Sequence, residues 1–82
     1  MAGSGGTHTA ADLKEILEAQ GHRCAYCRTD LSEVKKHVDH IMPLALGGSN
    51  GPENLQHLCQ PCNQSKGAKH PDDFARQRGL IL

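Results

Sequence analysis

Eighty-two residues with one Phe, one Tyr and no Trp allow a single small domain, and its apolar core is too thin to hold it together unaided. Nine basic side chains balance nine acidic ones, which excludes the broad positive field typical of nucleic-acid-binding domains. No stretch approaches the roughly 20 apolar residues of a membrane span, so no membrane partner is expected.

Residues 1–8 are rich in Gly and Ser and read as a flexible segment, leaving residues 9–82 as one domain. No apolar run behind a basic start marks a secretory signal, so the expected compartment is the cytoplasm. In that setting paired cysteines read as metal ligands before disulfides.

The next stretch predicts a helix over residues 10–20, where Leu13, Ile16 and Leu17 share one face. Thr9 and Asp12 suit an N-terminal cap, and Gly21 suits a stop. Cys24-Ala-Tyr-Cys27 predicts a tight knuckle, and Arg28 to Glu33 a polar turn with Leu31 inside it. Lys36 to Ile41, with β-branched Val38 and Ile41, predicts a short strand. Pro43 to Asn54 holds two Pro, two adjacent Gly and Asn-Gly, and reads as loop. Leu55 to Leu58 predicts a returning strand, and Pro61 opens a helix carrying Cys62, Asn63 and Lys66 that Pro71 ends or kinks. Asp72 to Arg78 predicts further helix with Phe74 turned inward.

Cys24, Cys27, Cys59 and Cys62 form two Cys-x-x-Cys pairs separated by 31 residues. Four thiolates close a tetrahedral zinc site with no open position, so a structural role is expected; free or redox-active thiols are the competing reading. Structural zinc sites supply roughly 10 kcal/mol or more of apparent binding free energy, comparable to the stability of a whole domain. Such a site pins both ends of residues 28–58 to one point. It thereby draws His37, Asp39, His40, Asn54 and His57 towards Asn63 and Lys66.

The chemistry available to that cluster follows from residue type. A carboxylate and an amide oxygen are hard ligands suited to Mg2+ or Mn2+, and histidine is the side chain best poised to accept a proton near neutral pH. A divalent ion beside such a base suits phosphodiester hydrolysis. It also lets a neutral chain approach a phosphate. One rule opposes the simplest picture: adjacent strand residues Asp39 and His40 point to opposite faces, unless the strand bends or ends there.

The sequence CAYC…HVDHIMPLALGGSNGPENLQHLCQPCNQSK closely resembles the HNH endonucleases, the ββα-metal nucleases, over roughly residues 24–67. The resemblance rests jointly on the Asp-His pair, Ile-x-Pro, the Gly-Gly loop, Asn-Leu-Gln and the final Cys-x-x-Cys-Asn with Lys three residues on. It implies an α+β fold: a short antiparallel hairpin plus helix, treble-clef-like, stapled by the four-cysteine zinc site, with the N-terminal helix added. It implies His40 as general base, Asp39 and Asn63 as ligands of a catalytic divalent ion, and Asn54 as a brace across the loop. Asn63 stands where many members have His, making this a His-Asn-Asn variant and leaving metal preference open.

His37, His57 and Lys66 are candidates for contact with the substrate. The partner implied is DNA, cut with little sequence selectivity in a bacterial or phage-infected cell. A homodimer or a larger phage or restriction assembly is the expectation if both strands are cut. The competing reading is a non-enzymatic zinc module that binds nucleic acid or protein.

Overall fold

The computed structural model describes residues 6–79, so the expectations for residues 1–5 and 80–82 lie outside the described residues. Helix α1 spans Ala10–Ala19. Its start is fixed by a reciprocal cap: the Asp12 amide donates to Thr9 Oγ1 at 3.1 Å, and the Thr9 amide donates to Asp12 Oδ2 at 2.9 Å. Gly21, at φ 68°, takes the left-handed conformation that stops it.

The chain then turns through the first cysteine knuckle. Strands β1 (Lys36–His40) and β2 (Leu55–Cys59) pair antiparallel, in a register running from Lys36 opposite Cys59 to His40 opposite Leu55. Between them the expected loop contains two short 3-10 turns, Leu44–Leu46 and Pro52–Asn54. Strand β1 stops at His40 rather than Ile41, and β2 runs one residue further than expected. Cys59 remains extended because it is also the residue that caps α2 (Gln60–Lys66), with Pro61 in the first turn.

Helix α2 ends earlier than the sequence suggested. Gly67, at φ 51°, terminates it, and Pro71 opens a separate helix α3 (Pro71–Gln77) instead of ending or kinking α2. Among the described residues no helix is long and apolar enough to cross a membrane. The result is a small α+β domain.

The core is built around sulfur. Cys24, Leu31, Leu58, Cys59 and Cys62 form one buried cluster, with Leu17, Ala25 and Tyr26 packed against it. Beside it Phe74 of α3 is fully buried, its ring edge-on to Tyr26 with centroids 4.7 Å apart. Helix α1 buries no residue completely; Leu17 packs against the core, and polar contacts also tie the helix and its C-terminal cap to β2. The Gln20 side chain accepts from the His57 amide at 2.8 Å and donates to the His57 carbonyl at 3.0 Å.

Candidate nuclease and metal site

The four cysteine sulfurs lie within 4.8 Å of one another. Cys27 Sγ and Cys59 Sγ are 3.5 Å apart, too far for a disulfide and close to the separation of about 3.8 Å between thiolates on a tetrahedral zinc. The donor set therefore fits a closed thiolate metal site. Its members are chemically unequal. The Thr29 hydroxyl beside exposed Cys27, 3.1 Å from its sulfur, lowers that thiol to about 6. Burial pushes the Cys59 and Cys62 thiols up. The knuckle is completed by Arg28, whose φ of 66° folds its amide back onto the Cys24 carbonyl.

From this anchor β2 and α2 diverge, and β1 lies against both. Asp39 sits opposite Gln56 in the register, and Gln56 Nε2 donates to Asp39 Oδ2 at 2.9 Å. From α2, Lys66 Nζ reaches the same carboxylate, 3.1 Å from Oδ2 and 3.4 Å from Oδ1, and also donates to the His40 carbonyl at 2.9 Å. Asp39 is only 7% exposed and Lys66 not at all. A charge enclosed to this degree needs its partner, and here one ammonium serves both the Asp39 side chain and the His40 backbone.

Asn63 lies one helical turn before Lys66, on the same face of α2. It is half-buried, and no hydrogen bond engages its side-chain amide among the described residues. Among the described residues, only Lys66 forms a hydrogen bond with Asp39 Oδ1, at 3.4 Å. A carboxylate oxygen and an amide oxygen are hard donors of the kind that suits Mg2+ or Mn2+.

His40 occupies the last position of β1, so the strand rule that sends it away from Asp39 ceases to hold just there. Its Nε2 lies 2.8 Å from Asn50 Oδ1, in the connector. The connector is itself clamped by Asn54. The Asn54 side chain accepts from the Met42 amide at 2.9 Å and donates to the carbonyls of Met42 (2.9 Å) and Ser49 (2.7 Å). Gly48 passes so close that a Cβ there would stand 1.8 Å from the Met42 carbonyl oxygen. The glycine is thus required by close approach of the two chain segments.

The remaining candidates separate. Lys66 is enclosed by Asp39 and His40, and His57, 4% exposed, directs Nε2 to the Leu13 carbonyl at 2.8 Å. Both side chains are buried in this structure, where their polar atoms serve internal partners. His37 is half-buried on the Asp39 face of β1, with its Nε2 enclosed and unpartnered among the described residues. Two residues at the site escaped the sequence reading. Gln56 was recoverable from the hairpin register, which sets it opposite Asp39; Asn50 carried no signal beyond its place in a loop.

Comparison with known proteins places this geometry in a family. The family profile described as HNH endonuclease matches residues 24–78. The CRISPR-associated endonuclease Cas9 of Corynebacterium diphtheriae is 40% identical over 65 residues, covering 76% of this chain and 6% of that protein. Cas9 of Actinomyces naeslundii is 43% identical over 53 residues, covering 63% and 5% respectively. The crystal structure of the Type II-C Cas9 enzyme from Actinomyces naeslundii superposes with a TM-score of 0.72 at 34% identity, over 94% of this chain and 8% of the other. The chain therefore spans a small fraction of the relatives it matches.

Proposed function

The chain belongs to the HNH endonuclease family, and from that premise we propose that it is a DNA-cleaving module, related to those of the CRISPR-associated endonucleases, that hydrolyses one phosphodiester bond per encounter with little sequence selectivity of its own. The observation that carries this reading is the Lys66 bridge. It joins the Asp39 carboxylate and the His40 backbone to α2, the helix that carries Asn63.

In this reading His40 accepts the proton of the attacking water, leaving a hydroxide to enter in line with the scissile bond. Asp39 and Asn63 hold a Mg2+ or Mn2+ ion, which supplies positive charge for the phosphate oxygens and the departing 3′-oxygen. Products then carry 5′-phosphate and 3′-hydroxyl ends. Asn54 maintains the loop geometry that supports His40. Zinc on Cys24, Cys27, Cys59 and Cys62 is structural, since four thiolates leave it no open position.

The test is incubation with supercoiled, linear and single-stranded DNA in Mg2+ or Mn2+, beside a His40→Ala variant. Nicked circles are expected from the wild type, with a loss of about 100-fold or more in the variant. Absence of nicking in every divalent ion, or equal nicking by the variant, refutes the reading.

A further inference from the structure

A base on a histidine works only if the right nitrogen is free, and the structure supplies a residue that determines which one. We propose that Asn50 is the positioning residue of His40: its side-chain oxygen accepts the hydrogen bond of Nε2–H, which fixes the ring and leaves Nδ1 as the basic nitrogen. This rests on His40 being the base, and extends it by assigning the tautomer and the group that enforces it.

The argument begins with the 2.8 Å contact between His40 Nε2 and Asn50 Oδ1. An amide oxygen has no proton to give, so with this partner Nε2 must be the N–H nitrogen, and a neutral ring then has its lone pair on Nδ1. The contact is built rather than incidental, because both partners are held independently of it. The His40 carbonyl accepts from Lys66 Nζ at 2.9 Å, and the next residue, Ile41, donates its amide to the Asn54 carbonyl at 2.8 Å. On the other side, the Asn50 carbonyl is paired at 2.9 Å with His8 Nδ1. The residues flanking Asn50 are joined by the Gly51 amide, which donates to Ser49 Oγ at 2.8 Å.

Asn54 then sets the distance between the two frames. Its side chain grips Met42, two residues past His40, and the carbonyl of Ser49, one residue before Asn50. Ring and amide are thus positioned by a common clamp, and no main-chain group needs to move for the proton to remain on Nε2. Holding a catalytic ring by a fixed acceptor lowers the orientational cost of the proton transfer that follows.

The experiment reads the ring directly. Long-range proton–nitrogen NMR of His40 in the zinc-loaded protein, at a pH where the ring is neutral and with no other divalent ion added, reports which nitrogen carries the proton. The wild type is expected to show the Nε2–H form. Asn50→Asp, which keeps an oxygen acceptor, should preserve that form and most of the cleavage rate. Asn50→Leu, which keeps the backbone carbonyl for His8 but removes the acceptor, should give a mixture of tautomers. Its kcat for plasmid nicking should fall by about 10-fold or more with little change in KM.

An Nδ1–H ring in the wild type overturns the proposal. So does an unchanged tautomer and rate in Asn50→Leu. Should Asn50→Leu fail to fold, the wild-type and Asn50→Asp tautomers decide the matter by themselves. Failure of His40 as base has a different signature, cleavage that survives in His40→Ala.

Discussion

At the scale of single residues, Lys66 has the largest energetic consequence. Its ammonium is enclosed with the Asp39 carboxylate, and removing one member of such a pair leaves a desolvated charge behind. Lys66→Met should therefore destabilise the folded domain by about 3–5 kcal/mol, measured by urea unfolding of the zinc-loaded protein. Combining it with Asp39→Asn should recover much of that loss, since the stranded charge is then gone. If the double variant is as unstable as the single one, packing rather than charge is the reason. The sequence made Lys66 visible, three residues after Asn63, but not its role. From spacing alone a lysine looks exposed; only the approach of α2 to β1 reveals that its charge is spent inside the protein. The opposite holds for Asp39, whose tetrapeptide context was legible and whose register partner Gln56 follows from the hairpin.

At the scale of elements, the cysteine pairs do what a larger core does elsewhere. Three of the five residues in the main buried cluster are cysteines, so the contact between the knuckle, β2 and α2 depends on what holds four sulfurs together. Removing the metal by chelation should lower the urea midpoint sharply and narrow amide NMR dispersion, leaving a metal-free fold of marginal stability, because roughly 10 kcal/mol or more of binding free energy is then lost. Metal binding should also release protons. At neutral pH Cys27, lowered to about 6, is already a thiolate, whereas the raised Cys59 and Cys62 are thiols that must each give up a proton. Titration calorimetry in buffers of different ionisation enthalpy measures this release.

The linkage has a definite sign. The lowered Cys27 thiol stabilises the metal-free fold fully above its ordinary value of 9.0, and that contribution is lost as pH falls through about 6. The raised Cys59 and Cys62 thiols act oppositely, contributing below 9.0 and losing that contribution as pH rises. The cysteine spacing, the first helix with its Thr9–Asp12 cap and both strands were legible because each follows a local rule. The break at Gly67 was not, since Pro71 gave the stronger textual signal for a helix end and is in fact the start of α3.

At the scale of the whole molecule, two small clusters carry the fold. The sulfur-centred cluster holds the hairpin, and the Tyr26–Phe74 pair holds α3, with the Arg78 guanidinium 5.6 Å above the Phe74 ring. Phe74 is the only fully enclosed side chain that α3 contributes. Phe74→Ala should cost about 3–5 kcal/mol and raise amide exchange throughout α3 before it affects β1 and β2. Equal protection in α3 would show that other contacts hold the helix. The sequence placed Phe74 inward because a chain with a single Phe has few ways to fill a core. It did not identify Tyr26 as its partner, which depends on the path of the knuckle.

The contact between Gln20 and His57 bears on how the domain keeps to itself. A two-stranded ribbon has an outer edge on each strand, and unpaired amides and carbonyls along an edge invite another chain to add a strand. On β2 the outward amide and carbonyl of His57 both go to the Gln20 side chain, and the Ala25 amide adds a second donor to that carbonyl at 3.2 Å. A glutamine amide thus stands in for a third strand at the middle of the hairpin. The edge is closed to β-addition there, without the length of chain that another strand would require.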